Sequence, residues 1–262
     1  MYQIEWLAIG QTQVPAQILF HLGPSDRLLP VTAYAMLLTG PDGRYHLVDT
    51  GVRSTAEINA GRPAERHWSV DPEKTLLRQL AQRGIAPEAV ATVILTHLHY
   101  DHCSQVPLFP QADLVLSLRE WLSVVAPQDP ELLRFTRYPR DVYAWMVDKG
   151  WPRLRLVEDG EEVLPGMVAW VLGGHTPGST AYRVDTAAGA VVLAGDFVNT
   201  YTNWNAGHPP GLLVSLEEWY RGYRRLRHAD ALIIPSHDPA VMARYPDGVI
   251  IPGEVENAPR EE

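Results

Sequence analysis

The sequence predicts an α/β fold of two sheets packed face to face, with helices on their outer sides. Short apolar runs recur along the chain, and each ends on a polar residue or a Gly/Pro turn, which is the pattern of buried strands. A series of strands followed by a helix occurs twice, once in each half. No Ser/Gly-rich linker, tandem repeat or low-complexity tract separates the halves. A chain of 262 residues can bury a large core, so one domain over 1–262 is expected rather than two small ones.

Taken in order, Tyr2 to Ile9, Val31 to Leu38 and Arg44 to Asp49 read as strands, the last two joined by the turn Gly40-Pro41-Asp42-Gly43. Pro72 to Arg83 reads as a helix: Asp71 suits the N-cap, Pro72 the first position, Leu76, Leu77 and Leu80 form a stripe, and Gly84 closes it. Val93 to Leu95 and Ala112 to Leu116 are further strands. The second half offers strands near Arg153 to Val157, Met167 to Leu172, Thr180 to Val184, Ala190 to Leu193 and Ala231 to Pro235. A helix from about Leu216 to Leu226, capped by Ser215, lies among them.

Two segments fall outside this pattern. Val52 to Val70 is irregular and mostly polar. Ala126 to Trp151 is rich in aromatics and charge, including Phe135, Tyr138, Tyr143, Trp145 and Trp151. Long insertions of this kind serve as pocket walls or partner contacts. The alternative is a helix around Asp141 to Lys149 that packs Val142, Trp145 and Met146 on the core.

The chemistry concentrates in His97-Leu98-His99-Tyr100-Asp101-His102, which directly follows the buried strand and Thr96. Imidazole and carboxylate are preferred ligands of zinc and its divalent neighbours, and alternate residues of an extended segment point the same way. His97 and His99 can therefore share one ion, while Asp101 and His102, where the chain turns, point toward a second. A polar loop with chance histidines would cost several kcal/mol to desolvate for no structural return. Three further ligand candidates each follow an apolar strand: His175 in a Gly/Pro-rich turn, Asp196, and His237. The single cysteine, Cys103, excludes an internal disulfide framework and a Cys-rich zinc site; it reads as a small buried thiol.

This order of motifs resembles the metallo-β-lactamase superfamily: Asp49-Thr50-Gly51, the run at 97–102, His175, Asp196 and His237. The resemblance implies a four-layer αββα sandwich. It also implies that His97, His99 and His175 hold one metal, that Asp101, His102 and His237 hold the other, and that Asp196 bridges them. Asp49 would orient a ligand histidine from behind; a carboxylate serving only the turn before Gly51 is the alternative. Two divalent ions are expected, zinc first, with Mn²⁺, Fe²⁺ and Co²⁺ also compatible. Such ions, about 3.5 to 4 Å apart, bridge a water and lower its pKa for attack on a carbonyl or phosphoryl centre. Asp101 can then carry a proton to the leaving group.

Within the family, the long insertion after Gly51 and the runs His102-Cys103-Ser104 and Phe109-Pro110-Gln111-Ala112 look most like the N-acyl homoserine lactone lactonases. Those enzymes typically carry a tyrosine three residues after the bridging aspartate. This chain has Asn199 there, with Tyr201 two positions on, so either is a candidate oxyanion donor. The expected substrate is a small lactone or related ester. The other readings are a glyoxalase II-like thioesterase, another ester or phosphodiester hydrolase, and a mononuclear iron sulfur dioxygenase. The first usually adds a basic C-terminal region, whereas this tail ends on Glu261-Glu262; the dioxygenase uses fewer ligands, and a scaffold with a dead site would have lost some.

A net charge of −9, spread along the chain, argues against an extended phosphate-binding surface and so against nucleic acid. No apolar run is long enough to span a bilayer, and Met1 to Trp6 lacks a signal core. A cytoplasmic monomer or homodimer is expected.

Overall fold

The computed structural model describes residues 1–53, 55–128, 131 and 139–253. Among these residues, eleven strands form two sheets. The first contains β1 (Gln3–Pro15), β2 (Leu28–Thr39), β3 (Tyr45–Val48), β4 (Val90–Ile94), β5 (Asp113–Ser117) and β6 (Leu154–Val157), in that spatial order. The second contains β7 (Glu162–Leu164), β8 (Met167–Val171), β9 (Thr180–Thr186), β10 (Gly189–Leu193) and β11 (Leu232–Ile234), again in sequence order. Helices connect and cover them: α1 (Ala16–Leu19), α2 (Thr55–Asn59), α3 (Leu76–Gln82), α4 (Tyr100–Cys103), α5 (Leu118–Val125), α6 (Arg140–Trp145), α7 (Tyr201–Ala206), α8 (Leu216–Arg227) and α9 (Ala240–Arg244).

Side-chain alternation along the strands explains the layers. In a strand, successive residues point to opposite faces. Ile94, Val115, Val191, Leu193 and Ile234 face the space between the sheets, where they meet Met36, Val48 and Tyr182. Their neighbours Val93, Leu114 and Leu116 point outward with Leu76 and Leu80 of α3. Val192 and Ile233 point outward on the second sheet, against Trp219 and Leu226 of α8. Three apolar interfaces thus separate four layers, which is the αββα sandwich the sequence led us to expect. Strands buried on both faces read as continuous apolar runs rather than alternating ones.

Several boundaries differ from the sequence reading. β1 runs on to Pro15 because its polar half stays paired with β2 down to Pro15 opposite Leu28. The helix expected over Pro72 to Arg83 is two pieces. Asp71 caps only a short 3₁₀ turn, accepting from Glu73 N at 2.9 Å; Thr75 is extended and caps α3 by accepting from Arg78 N at 3.3 Å. A second cap-forming side chain inside the window divides the helix there. Ser215 caps α8 as read, accepting from Glu218 N at 3.2 Å.

The insertions pack on the sandwich. Trp68 is buried, its N–H and carbonyl both bonded to the Asn59 amide at 2.8 Å, and Ser69 pairs with Gln11 of β1. In the second insertion Val142 and Met146 enter the outer core under the first sheet, as the packed-helix alternative requires, and Trp145 lies partly buried against it. An Arg53–Asp141 ion pair at 2.5 Å joins the two segments. Phe135 and Tyr138 lie outside the described residues. Among the described residues, no helix is long and apolar enough to cross a membrane.

Candidate metal centre

β3 and β4 run parallel in one sheet, β10 and β11 in the other, and the ligand candidates sit just beyond their C-terminal ends. Asp49 leaves β3; His97 to His102 follow β4 and enter α4; Asp196 follows β10 and His237 follows β11. His175 lies in the turn between β8 and β9. That turn is tied to the β4 exit through the Thr180 N–H donating to Thr96 O at 2.9 Å. Backbones approach closely here. Gly195 has φ +54°, and a Cβ added to it would stand 2.7 Å from Thr96 Cβ.

The side chains gather into two sets, His97, His99, His175 and Asp196 in one and Asp101, His102 and His237 in the other, each with ligand atoms within 4.8 Å of one another. Asp196 joins the sets through its two oxygens. Oδ1 lies 3.0 Å from both His102 Nε2 and His237 Nε2; Oδ2 lies 3.3 Å from His175 Nε2 and 3.8 Å from His97 Nε2. The Asp101 carboxylate stands 3.6 Å from His237 Nε2 and 3.9 Å from His102 Nε2.

The far nitrogens of four of these imidazoles donate to fixed partners, which turns their near nitrogens toward the two sets. His175 Nδ1 donates to Leu212 O at 2.7 Å and His237 Nδ1 to Thr32 O at 3.0 Å. His97 Nδ1 donates to Thr96 Oγ1 at 3.0 Å, and that hydroxyl donates on to Asp49 Oδ2 at 2.8 Å. His102 Nδ1 donates to the same Asp49 oxygen at 2.7 Å. Metal-ligating histidines are oriented by such partners.

A cation fits this arrangement. His99 Nδ1 lies 3.0 Å from both His97 Nε2 and His175 Nε2. A neutral ring has one proton, so it serves at most one of these contacts and leaves the other lone pair against lone pair. A tetrahedral ion with nitrogens at about 2.0 to 2.1 Å sets them about 3.3 Å apart, close to what is seen. His102 Nε2 is buried without a hydrogen bond, despite the nearby Asp196 oxygen. The electrostatics differ between the two sets. Burial, then neighbouring imidazoles, push His97 and His99 well below the usual histidine range, so both are neutral as ligands must be. Burial opposes charge on His102 too, but Asp196, Asp49 and Asp101 outweigh it and raise its pKa well above the usual value. Burial likewise disfavours the Asp196 carboxylate, yet His237, His102 and His175 together hold its pKa far down.

Residues 28–252 match the family model of the metallo-β-lactamase superfamily. The chain belongs to that superfamily. Among its curated relatives are the N-acyl homoserine lactonase AttM of Azorhizobium caulinodans, 26% identical over 240 residues that cover 82% of this chain and 84% of that protein. The N-acyl homoserine lactonase AiiB of Agrobacterium fabrum is 28% identical over 210 residues, 77% of this chain and 74% of that one. In structure the chain is similar to an AiiA variant of B. thuringiensis with N-decanoyl-L-homoserine at its active site, with TM-score 0.77 and 19% identity over 92% of this chain and 95% of that one. The dizinc quorum-quenching lactonase AidC is similar too, with TM-score 0.69 and 18% identity over 95% and 89%.

The superfamily fold also brings in residues that sequence reasoning missed. Ser236 Oγ donates to Asp196 Oδ1 at 2.7 Å. Glu120, fully buried in α5, accepts from Leu98 N, Thr176 Oγ1 and Gly178 N. No spacing signal links either to its partners; a glutamate in the first turn of an otherwise amphipathic helix was the available hint. Cys103 is buried, with its Sγ donating to Leu98 O at 3.3 Å, and burial raises its pKa, so it is the inert thiol expected.

The two candidate oxyanion donors are placed differently. Asn199 is buried beside the ligands, its carbonyl accepting from His237 N at 3.0 Å, and its Oδ1 has no hydrogen-bond partner among the described residues. Tyr201 lies in the inter-sheet core with its ring 3.7 Å from the Arg244 guanidinium carbon. After burial, Tyr245, Arg244, Asp238 and Tyr34 are the groups that act most on its phenol. Beside His99 and His175 opens a groove of about 930 Å³, walled by Leu118, Leu122, Val157 and Val214. Ala126, Pro127 and Gln128, which begin the second insertion, line its edge.

Proposed function

We propose that this chain is a binuclear metal-dependent hydrolase that opens the ring of N-acyl homoserine lactones or closely related lactones. The observation that carries this reading is Asp196, whose two carboxylate oxygens face separate ligand sets. On this reading His97, His99 and His175 hold one ion, Asp101, His102 and His237 the other, and Asp196 spans both. Two bound divalent ions supply a water acidified toward neutral pH and a Lewis acid for the carbonyl under attack.

The protein's own groups do the rest. Asp101 is partly exposed, its side chain 22% accessible, so it can take up a proton in the site and pass it to the leaving oxygen. Asn199, whose backbone carbonyl pairs with His237 N, would offer its amide N–H₂ to the carbonyl oxygen as charge develops there. The apolar groove next to His99 suits a substituent of the lactone that leaves water on binding. Lactonase names among relatives covering most of the chain support the same substrate class.

The test is a panel of N-acyl homoserine lactones, simple lactones, thioesters and phosphodiesters on the zinc-loaded protein, read by proton release. Ring opening of the acylated lactones at rates above the other classes is expected. Cleavage of thioesters or phosphodiesters alone would overturn the substrate assignment, and a reproducible content of one ion would overturn the binuclear one.

A further inference from the structure

We infer that Glu120 is a positioning residue for the three-histidine set, and that it controls the first ion separately from the second. This rests on the ligand reading proposed above. Glu120 Oε1 accepts from Leu98 N at 3.0 Å, and Leu98 is the residue between His97 and His99. Glu120 Oε2 accepts from Thr176 Oγ1 at 2.7 Å and from Gly178 N at 3.0 Å, both in the turn that carries His175. One carboxylate thus ties together the two chain segments that supply all three imidazoles.

The contact leaves little slack. Glu120 is fully buried, and its own N–H donates at 3.0 Å to Ser117 Oγ, which donates in turn to Gly178 O at 2.8 Å. A Cβ on Gly178 would fall 2.1 Å from Glu120 N, so the His175 turn rests directly on the first turn of α5. Hydrogen bonds in a buried, low-dielectric setting are stronger than in water, and losing one there is costly. The second set has other supports: His102 is held by Asp49 and His237 by Thr32 O. Neither of those bonds involves Glu120.

Separate supports make a separable effect. Moving either segment by a few tenths of an ångström spoils the convergence of three nitrogens, while the bonds that hold His102 to Asp49 and His237 to Thr32 O stay made. Supporting hydrogen bonds of this kind typically cost about 10- to 100-fold in metal affinity when removed.

Glu120→Gln and Thr176→Val test this by stepwise titration of the metal-free protein with Co²⁺, followed by visible absorption, alongside thermal unfolding of the metal-free form. Glu120→Gln turns an amide N–H₂ toward a donor; Thr176→Val removes one donor and is the milder variant. The expected result is a 10- to 100-fold loss of affinity in one step, with a changed Co²⁺ spectrum for that step and the other step unaltered. If Glu120→Gln does not fold, Thr176→Val decides. Two unchanged steps in a folded variant, or equal losses in both, would show a merely structural carboxylate. If the wild-type protein itself takes up fewer than two Co²⁺, the ligand reading fails and this inference with it.

Discussion

Asp49 Oδ2 accepts from His102 Nδ1 at 2.7 Å, and the same oxygen takes the Thr96 hydroxyl that holds His97. A single carboxylate therefore orients one imidazole in each ligand set. Its position is unusual. Asp49 has φ +58°, a left-handed conformation that non-glycine residues adopt rarely and that costs of order 1 kcal/mol or more. Its Oδ1 bond to Thr96 N at 2.9 Å helps hold that conformation.

Asp49→Ala should accordingly weaken both ions, each by about 10- to 100-fold, whereas Asp49→Asn should lose less because asparagine tolerates this φ and keeps an acceptor. Competition with a chelator on the two variants measures this. Loss confined to one ion in Asp49→Ala would contradict a shared role.

Asp196→Ala removes the carboxylate common to both sets and leaves two cation sites facing each other with one negative charge fewer. The protein should retain at most one ion per chain, and lactone turnover should fall by at least about a hundredfold. Elemental analysis beside the rate assay checks both. Full occupancy with near-normal turnover would mean that Asp196 is not a ligand.

The candidate ligand residues stood out in the sequence because each follows an apolar strand, and strands far apart in the chain can be read one at a time. The layered core was legible for a similar reason: Val93 against Ile94, or Val191 against Val192, encode opposite faces in their order alone. Contacts between those strands were not. Glu120 meets Leu98 and Gly178 only because α5 lies over both loops, and no local pattern records that. The break before α3 was hidden by Asp71-Pro72, which satisfies every rule for a helix start yet begins only a 3₁₀ turn. The far half of β1 was hidden because Gln11 and Gln13 face solvent, and pairing with β2 rather than hydrophobicity keeps it extended.

Buried phenols set the alkaline limit. Tyr182 donates to Leu95 O at 2.9 Å and Tyr34 to Asp238 O at 3.0 Å, and burial raises both above the ordinary value of 10.0. A phenol is neutral when protonated, so a raised folded pKa contributes stability that is complete below about pH 10 and is lost as pH rises through the folded values. Their ionisation at 295 nm should coincide with loss of the far-ultraviolet circular dichroism signal. Complete ionisation of all tyrosines near pH 10 in a protein that keeps its secondary structure would contradict the burial of Tyr182 and Tyr34.

On the lactonase reading proposed above, Asn199 and Tyr201 are the two candidates for a side-chain donor to the oxyanion. Asn199 sits on the strand-end loop that pairs with His237, and its buried amide oxygen is unpartnered among the described residues. Removing a lone oxyanion donor costs about 3 kcal/mol of transition-state stabilisation, so Asn199→Ala should lower kcat on the best lactone by about a hundredfold with metal content intact. The Tyr201 ring instead lies against Arg244, and its phenol is buried with no hydrogen-bond partner among the described residues. Tyr201→Phe should therefore leave kcat and KM unchanged and raise stability slightly, since it deletes an unsatisfied buried hydroxyl. Steady-state kinetics and thermal unfolding of the two variants separate these roles. A hundredfold loss in Tyr201→Phe with a normal rate in Asn199→Ala would exchange the assignments, and normal rates in both would leave charge stabilisation to the ions alone.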